Sequence, residues 1–207
     1  MTHGKPPALF ALDSSRDEVL LAPNVWRRAV GTTVFCPGCW RPREGHYPAP
    51  ISFVTDLRQR ASLSSGDGVV EIVRPVLFQA LVSLRPGIIP GEVRLRSGRQ
   101  LDSVTLHFPP SIELNFRGGH ATRPGAYGIC EVCGRVKANR ALMAKPWYVL
   151  SRDTRPGDVF VTNEHMIIVS ERAKAALETL GLADLRFNKL LVLDEPLVPV
   201  PELGDEV

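Results

Sequence analysis

A chain of 207 residues with 44% hydrophobic, 7% aromatic and 23% charged residues can bury a proper core without disulfide staples, and this excludes wholesale disorder. Its 25 basic and 22 acidic residues leave a net charge of +3, too near balance for charge alone to point to a nucleic-acid or membrane-surface partner. The longest apolar run, around Val76 to Leu84, falls far short of the about 20 residues a membrane-spanning helix needs, and Met1 to Pro7 lead into no signal-peptide core, so a cytoplasmic protein is the expectation.

Leu9-Phe10-Ala11-Leu12 reads as a short strand running into a turn at Asp13-Ser14-Ser15. Val30 to Phe35, rich in β-branched residues, reads as a strand that delivers Cys36-Pro37-Gly38-Cys39. Pro37 fixes φ and Gly38 tolerates positive φ, which suits a turn that doubles back around a metal. Arg41 to Pro50 is a proline-rich loop, Ile51 to Val54 a candidate strand, and Ser62 to Gly68 a second loop. Val76 to Leu84 has the length of a buried strand or a short helix. A helix ended by Pro86-Gly87 is the preferred assignment. Val93 to Arg96, Val104 to Phe108 and Ile112 to Phe116 are expected to form an antiparallel meander with a turn at Gly98.

Tyr127-Gly128-Ile129 then enters Cys130-Glu131-Val132-Cys133-Gly134, where Gly134 lets backbone amides approach the sulfur. Trp147 to Leu150 and Val159 to Val161 read as strands, the second introduced by a turn at Arg155-Pro156-Gly157-Asp158. The clearest helix follows. Ser170 stands at its N-cap, Ala173, Ala176, Leu177 and Leu180 share one apolar face, and Gly181 stops it. Asp184 to Phe187 and Leu190 to Leu193 are closing strands, and residues 196–207 form an extended or disordered tail.

The two cysteine pairs use all four cysteines in the chain. Two Cys-x-x-Cys turns supply four sulfurs, and four sulfurs close a tetrahedral shell, so the predicted product is one structural zinc ion on Cys36, Cys39, Cys130 and Cys133. Rubredoxin-type iron uses the same ligand set. Redox dithiol chemistry fits less well, because neither pair opens a helix in a βαβ unit. His46 and His120 lie in loops near the cysteines and read as surface or outer-shell residues, since a fifth ligand is not required. No nucleophile elbow, phosphate loop or His-Glu-x-x-His helix is present, so no enzyme is expected.

Ninety residues (40–129) separate the pairs. The expectation is therefore a single α+β domain over 1–195, mostly antiparallel sheet with a few short helices, built around a zinc-ribbon-like site. Its knuckles lie at 34–41 and 128–136, a subdomain over 42–127 is inserted between them, and a C-terminal αβ part spans 145–195. Arg94, Arg96 and Arg99 line one predicted hairpin and are the candidate partner-binding residues. Arginines there suit either a nucleic-acid face or ordinary protection of a strand edge.

The doubled cysteine turn, together with Trp147, Gly157-Asp158-Val159-Phe160 and Ile168-Val169-Ser170-Glu171-Arg172 leading into a helix, resembles the double-CXXCG motif proteins, a paralogous family in myxobacteria. Trp40 departs from that pattern, which calls for glycine after the second cysteine of the turn. The C-terminal part is similar to immunity proteins of polymorphic toxins. That resemblance implies a non-enzymatic protein that binds and neutralises a cognate bacterial toxin, with Trp26 and Trp40 as available aromatic anchors. A zinc-ribbon nucleic-acid-binding or regulatory protein is the alternative.

Overall fold

In the computed structural model, which describes residues 7–15, 19–20, 36, 52–56, 58–66, 70–107, 111–112, 114–116, 127–132, 136–138, 147–162 and 166–197, the strands and helices run as follows in chain order. They are β1 (Leu9–Ser14), β2 (Val19–Leu20), β3 (Phe53–Thr55), β4 (Leu63–Gly66), β5 (Val70–Val73), α1 (Pro75–Leu84), β6 (Ile89–Leu95), β7 (Gln100–His107), β8 (Asn115–Phe116), β9 (Tyr127–Ile129) and β10 (Val136–Ala138). After these come β11 (Trp147–Leu150), β12 (Val159–Val161), β13 (Ile167–Ser170), α2 (Glu171–Glu178), β14 (Leu185–Lys189) and β15 (Leu191–Leu193). The described residues thus form an α+β protein, mostly strands in sheets with two short helices. Neither helix is long and apolar enough to cross a membrane.

The organising layer is a four-stranded sheet in the order β12-β13-β1-β14, antiparallel throughout. Strand β1 sits inside it, with Phe10 opposite Val169 on one side and Lys189 on the other. That position explains why Leu9 to Leu12 is apolar without alternation: a strand covered on both faces has no solvent side. Phe10, Leu12, Val159, Val161, Ile167 and Val169 point one way into a cluster shared with Ala173 and Leu177 of α2. Leu9, Ala11, Phe160 and Ile168 point the other way, onto Ile112, Leu114 and Val149. Val149 belongs to a three-stranded sheet in the order β15-β11-β8.

A six-stranded sheet, β2-β4-β5-β7-β6-β3, takes β3 to β7 from the segment between the cysteine pairs and β2 from before Cys36. Helix α1 packs beneath it. Arg74, held extended at ψ 156 by the following proline, precedes Pro75 at the first turn, and Gly87 at φ 92 takes the positive φ needed to leave the helix. Leu77 and Leu81 are fully buried, in the same cluster as Phe10, Val169 and Leu177. The inserted segment therefore shares one core with the central sheet. Arg85 reinforces this join: its half-buried guanidinium donates to the Val159 carbonyl at 2.9 Å and to Ser111 Oγ at 3.2 Å. Burial lowers its pKa from the ordinary arginine value.

Helix α2 begins where the sequence places it. Ser170 Oγ accepts from the Ala173 amide at 3.1 Å and donates to Asp158 Oδ1 at 2.6 Å, while Arg172 pairs with the same carboxylate. Ala173 and Leu177 are buried, but Ala176 is exposed, so the buried face is narrower than expected. The regular turns end at Glu178, and Gly181 at φ 65 completes the exit.

Two expectations are corrected. Ser62 to Gly68 is not all loop, because Leu63–Gly66 pairs antiparallel with Val70–Val73; cross-strand pairing there outweighs the weak strand propensity of Ser64, Ser65 and Gly66. The expected meander holds only for β6 and β7, paired from Ile89↔His107 to Arg94↔Gln100. Ile112 instead bridges to Thr162, and β8 pairs with β11. Pro109 and Pro110 follow β7, and prolines cannot donate to a continuing ladder. Three strand pairs, β2 with β4, β3 with β6 and β11 with β15, are parallel. The predicted strand over Val30 to Phe35, the loop over Arg41 to Pro50, and the tail from residue 198 onward lie outside the described residues.

Candidate metal centre

The second cysteine turn is built as a hairpin. Strands β9 and β10 pair antiparallel with Ile129 opposite Val136, so the six residues Cys130 to Arg135 must cross from one strand to the other. Glu131 and Val132 occupy a turn and are exposed, with Val132 at 60%. Cys130, by contrast, is completely buried. Burial of Cys130 beside exposed turn residues leaves its sulfur facing the interior.

Cys36 meets it from 94 positions away. The two Sγ atoms stand 3.6 Å apart, and Cys36 is 2% exposed. A disulfide would bring them to about 2.05 Å, so no covalent link joins them at this distance. Two sulfurs on a tetrahedral zinc with Zn–S bonds of about 2.3 Å would lie about 3.8 Å apart. The observed separation is close to that edge length, so the two donors fit one common ion.

Cys39 and Cys133 lie outside the described residues, as do His46, His120, Gly134, Trp26 and Trp40. Among the described residues no three or more His, Cys, Asp or Glu side chains converge as a metal cluster. Of the four cysteines the described residues hold two, one from each Cys-x-x-Cys turn.

The arginine hairpin does not hold together as a single surface. Arg94 lies on β6 and its guanidinium is bound to Glu92 Oε2 at 2.7 and 3.0 Å, neutralised by a residue on the same face of the same strand. Arg96 and Arg99 are exposed in the turn between β6 and β7. Arg99 also lines a cleft of about 400 Å³ together with Arg58 and Arg74. Sequence proximity groups Arg99 with Arg94; folding groups it with two arginines far away in the chain. A local sequence signal marks only Arg74, which directly precedes the proline that opens α1.

A third polar assembly lies beside that cleft. Asp184, in the turn after α2, accepts from the Ser62 amide and Ser62 Oγ, each at 2.6 Å, and from Ser14 Oγ at 3.4 Å. Ser14 and Ser62 are buried, so this carboxylate joins the end of β1, the start of β4 and the approach to β14 through charge-assisted bonds.

No family model and no curated protein matches this sequence.

Proposed function

We propose that the protein is a non-enzymatic binding protein held by one structural zinc ion on Cys36, Cys39, Cys130 and Cys133, and that it acts as an immunity-type inhibitor of a cognate bacterial toxin. The zinc reading is carried by the 3.6 Å approach of two buried cysteine sulfurs from sequence-distant turns. The immunity reading rests on the resemblance to double-CXXCG proteins and fits a chain in which a rigid sheet core presents exposed turns. On this reading the partner surface includes the exposed β6–β7 turn with Arg96 and Arg99, where acidic groups of a toxin would be met. The pairing of Arg94 with Glu92 leaves that residue a smaller part.

Co-expression with a toxin encoded by a neighbouring reading frame tests the proposal. Rescue of growth and co-purification of the two proteins are expected. A toxin that kills equally with and without this protein would sink the immunity reading while leaving the metal site standing.

The second reading, a nucleic-acid-binding or regulatory zinc ribbon, is favoured by the exposed arginines of the same turn. It predicts retention on heparin or DNA that falls steeply with salt.

A further inference from the structure

We infer that the cleft at the start of α1 is a binding site for a small phosphate monoester with a partly apolar body, a ligand the size of a mononucleotide. This inference is independent of the immunity reading. Three arginines from three separate stretches line the cleft: Arg58 before β4, Arg74 at the N-cap of α1, and Arg99 in the β6–β7 turn. All three are exposed, and none forms an ion pair with a described carboxylate. Asp102 is the one acidic residue among the described lining residues. Unlike Arg94 and Arg172, each tied to a neighbouring carboxylate, these arginines keep their donors available, and guanidinium forks match phosphate oxygens.

The rest of the lining matches the rest of such a ligand. Pro75, Val76 and Leu77 place the first turn of the ten-residue α1 on the cleft wall, and no side chain caps that helix. Pro75 has no amide hydrogen and the Arg74 amide donates to the Ser62 carbonyl at 3.0 Å, so the Val76 and Leu77 amides are the ones that add to the positive field. Val76, at 54% exposure, joins Leu101 and Leu182 as an apolar wall. Gln59 also lines the cleft. Its Nε2 donates to the Ile72 carbonyl at 2.9 Å, while its buried Oε1 accepts no hydrogen bond. That oxygen is sealed from solvent, so Gln59 serves as a wall tied to β5 and not as a ligand contact. The volume of about 400 Å³ falls within the range of small-molecule sites.

Calorimetric titration of the full chain with AMP, adenosine, inorganic phosphate and a single-stranded oligonucleotide tests the site. Saturable one-to-one binding of AMP is expected, with adenosine and phosphate each weaker. Arg74→Gln and Arg99→Gln should each weaken AMP by about tenfold, the value of one charged hydrogen-bonding contact. Arg152→Gln, an exposed arginine outside the cleft, should leave AMP binding unchanged. Because Arg74 and Arg99 are exposed, their variants are expected to melt with the parent, and that comparison is made alongside. The inference is overturned by absent AMP binding, by equal binding of AMP and adenosine, by AMP binding indifferent to both variants, or by an oligonucleotide that binds where AMP does not.

Discussion

Replacing Cys130 by serine removes one of the two described sulfurs and tests what the cysteine pairs contribute. Cys36 and Cys130 are 94 positions apart, so a metal that joins them closes a loop of that size in the unfolded chain. The chain-entropy treatment of a cross-link closing about 100 residues gives about 4–5 kcal/mol of stabilisation. For a chain of 207 residues, where 1 kcal/mol moves the melting temperature by about 2–4 °C, the expected fall is about 10–15 °C. Metal analysis of the purified protein should find about one zinc per chain in the parent and much less in Cys130→Ser. Thermal unfolding followed by circular dichroism, with and without a strong chelator, completes the cycle. The chelated parent should melt where the serine variant melts, and the chelator should do nothing further to the variant. A zinc-free parent that is fully folded and indifferent to chelator would refute the reasoning, and iron in place of zinc would revise the ion without touching the clasp.

Three further outcomes are expected. Asp184→Ala leaves the Ser62 amide and hydroxyl without their acceptor at a residue that is 3% exposed; at about 1–3 kcal/mol for each buried donor, urea unfolding should show a loss of about 3–5 kcal/mol, and a loss near zero would show that water replaces the carboxylate. Ser170→Ala removes the N-cap of α2 and one donor to Asp158 and should lower stability by about 1–2 kcal/mol in the same assay, with Ser170→Gly less severe. Metal-depleted protein should still unfold in one transition, because Leu77 and Leu81 of the inserted segment lie in one cluster with Phe10 and Leu177; two separated transitions in calorimetry would contradict the shared core.

The elements that were legible in the sequence carry their own instructions. Ser170 with Ala173 and Leu177 marks α2, Pro86-Gly87 ends α1, and the apolar run from Leu9 to Leu12 marks β1. Strand β4 was not legible, because Ser64, Ser65 and Gly66 take extended form only through pairing with β5. The turning away of Ile112 from β7 was signalled by Pro109-Pro110, but its docking beside Thr162 depends on the placement of β12. Chemistry made the meeting of Cys36 and Cys130 expected, since thiols at metal-binding spacing need each other. Nothing local tells Arg58, Arg74 and Arg99 that they will share a cleft; only the stacking of β4, α1 and the β6–β7 turn does.

That stacking changes what the inserted segment is. Held at the cysteines alone, residues 42–127 would be a pendant lobe, free to vary its angle to the central sheet. Instead α1 is buried against the same core as β1 and α2, Arg85 reaches across to the Val159 carbonyl, and Asp184 grips Ser62 at the start of β4. Ser62 and Leu182 both line the arginine cleft, one from the insertion and one from the loop after α2. The Asp184 bonds therefore do more than stabilise the fold, because they fix the distance between two walls of the cleft. A perturbation of Asp184 should loosen phosphate binding as well as the fold, whereas loss of metal, if the shared core holds, should weaken the fold and leave the cleft of the remaining native molecules intact.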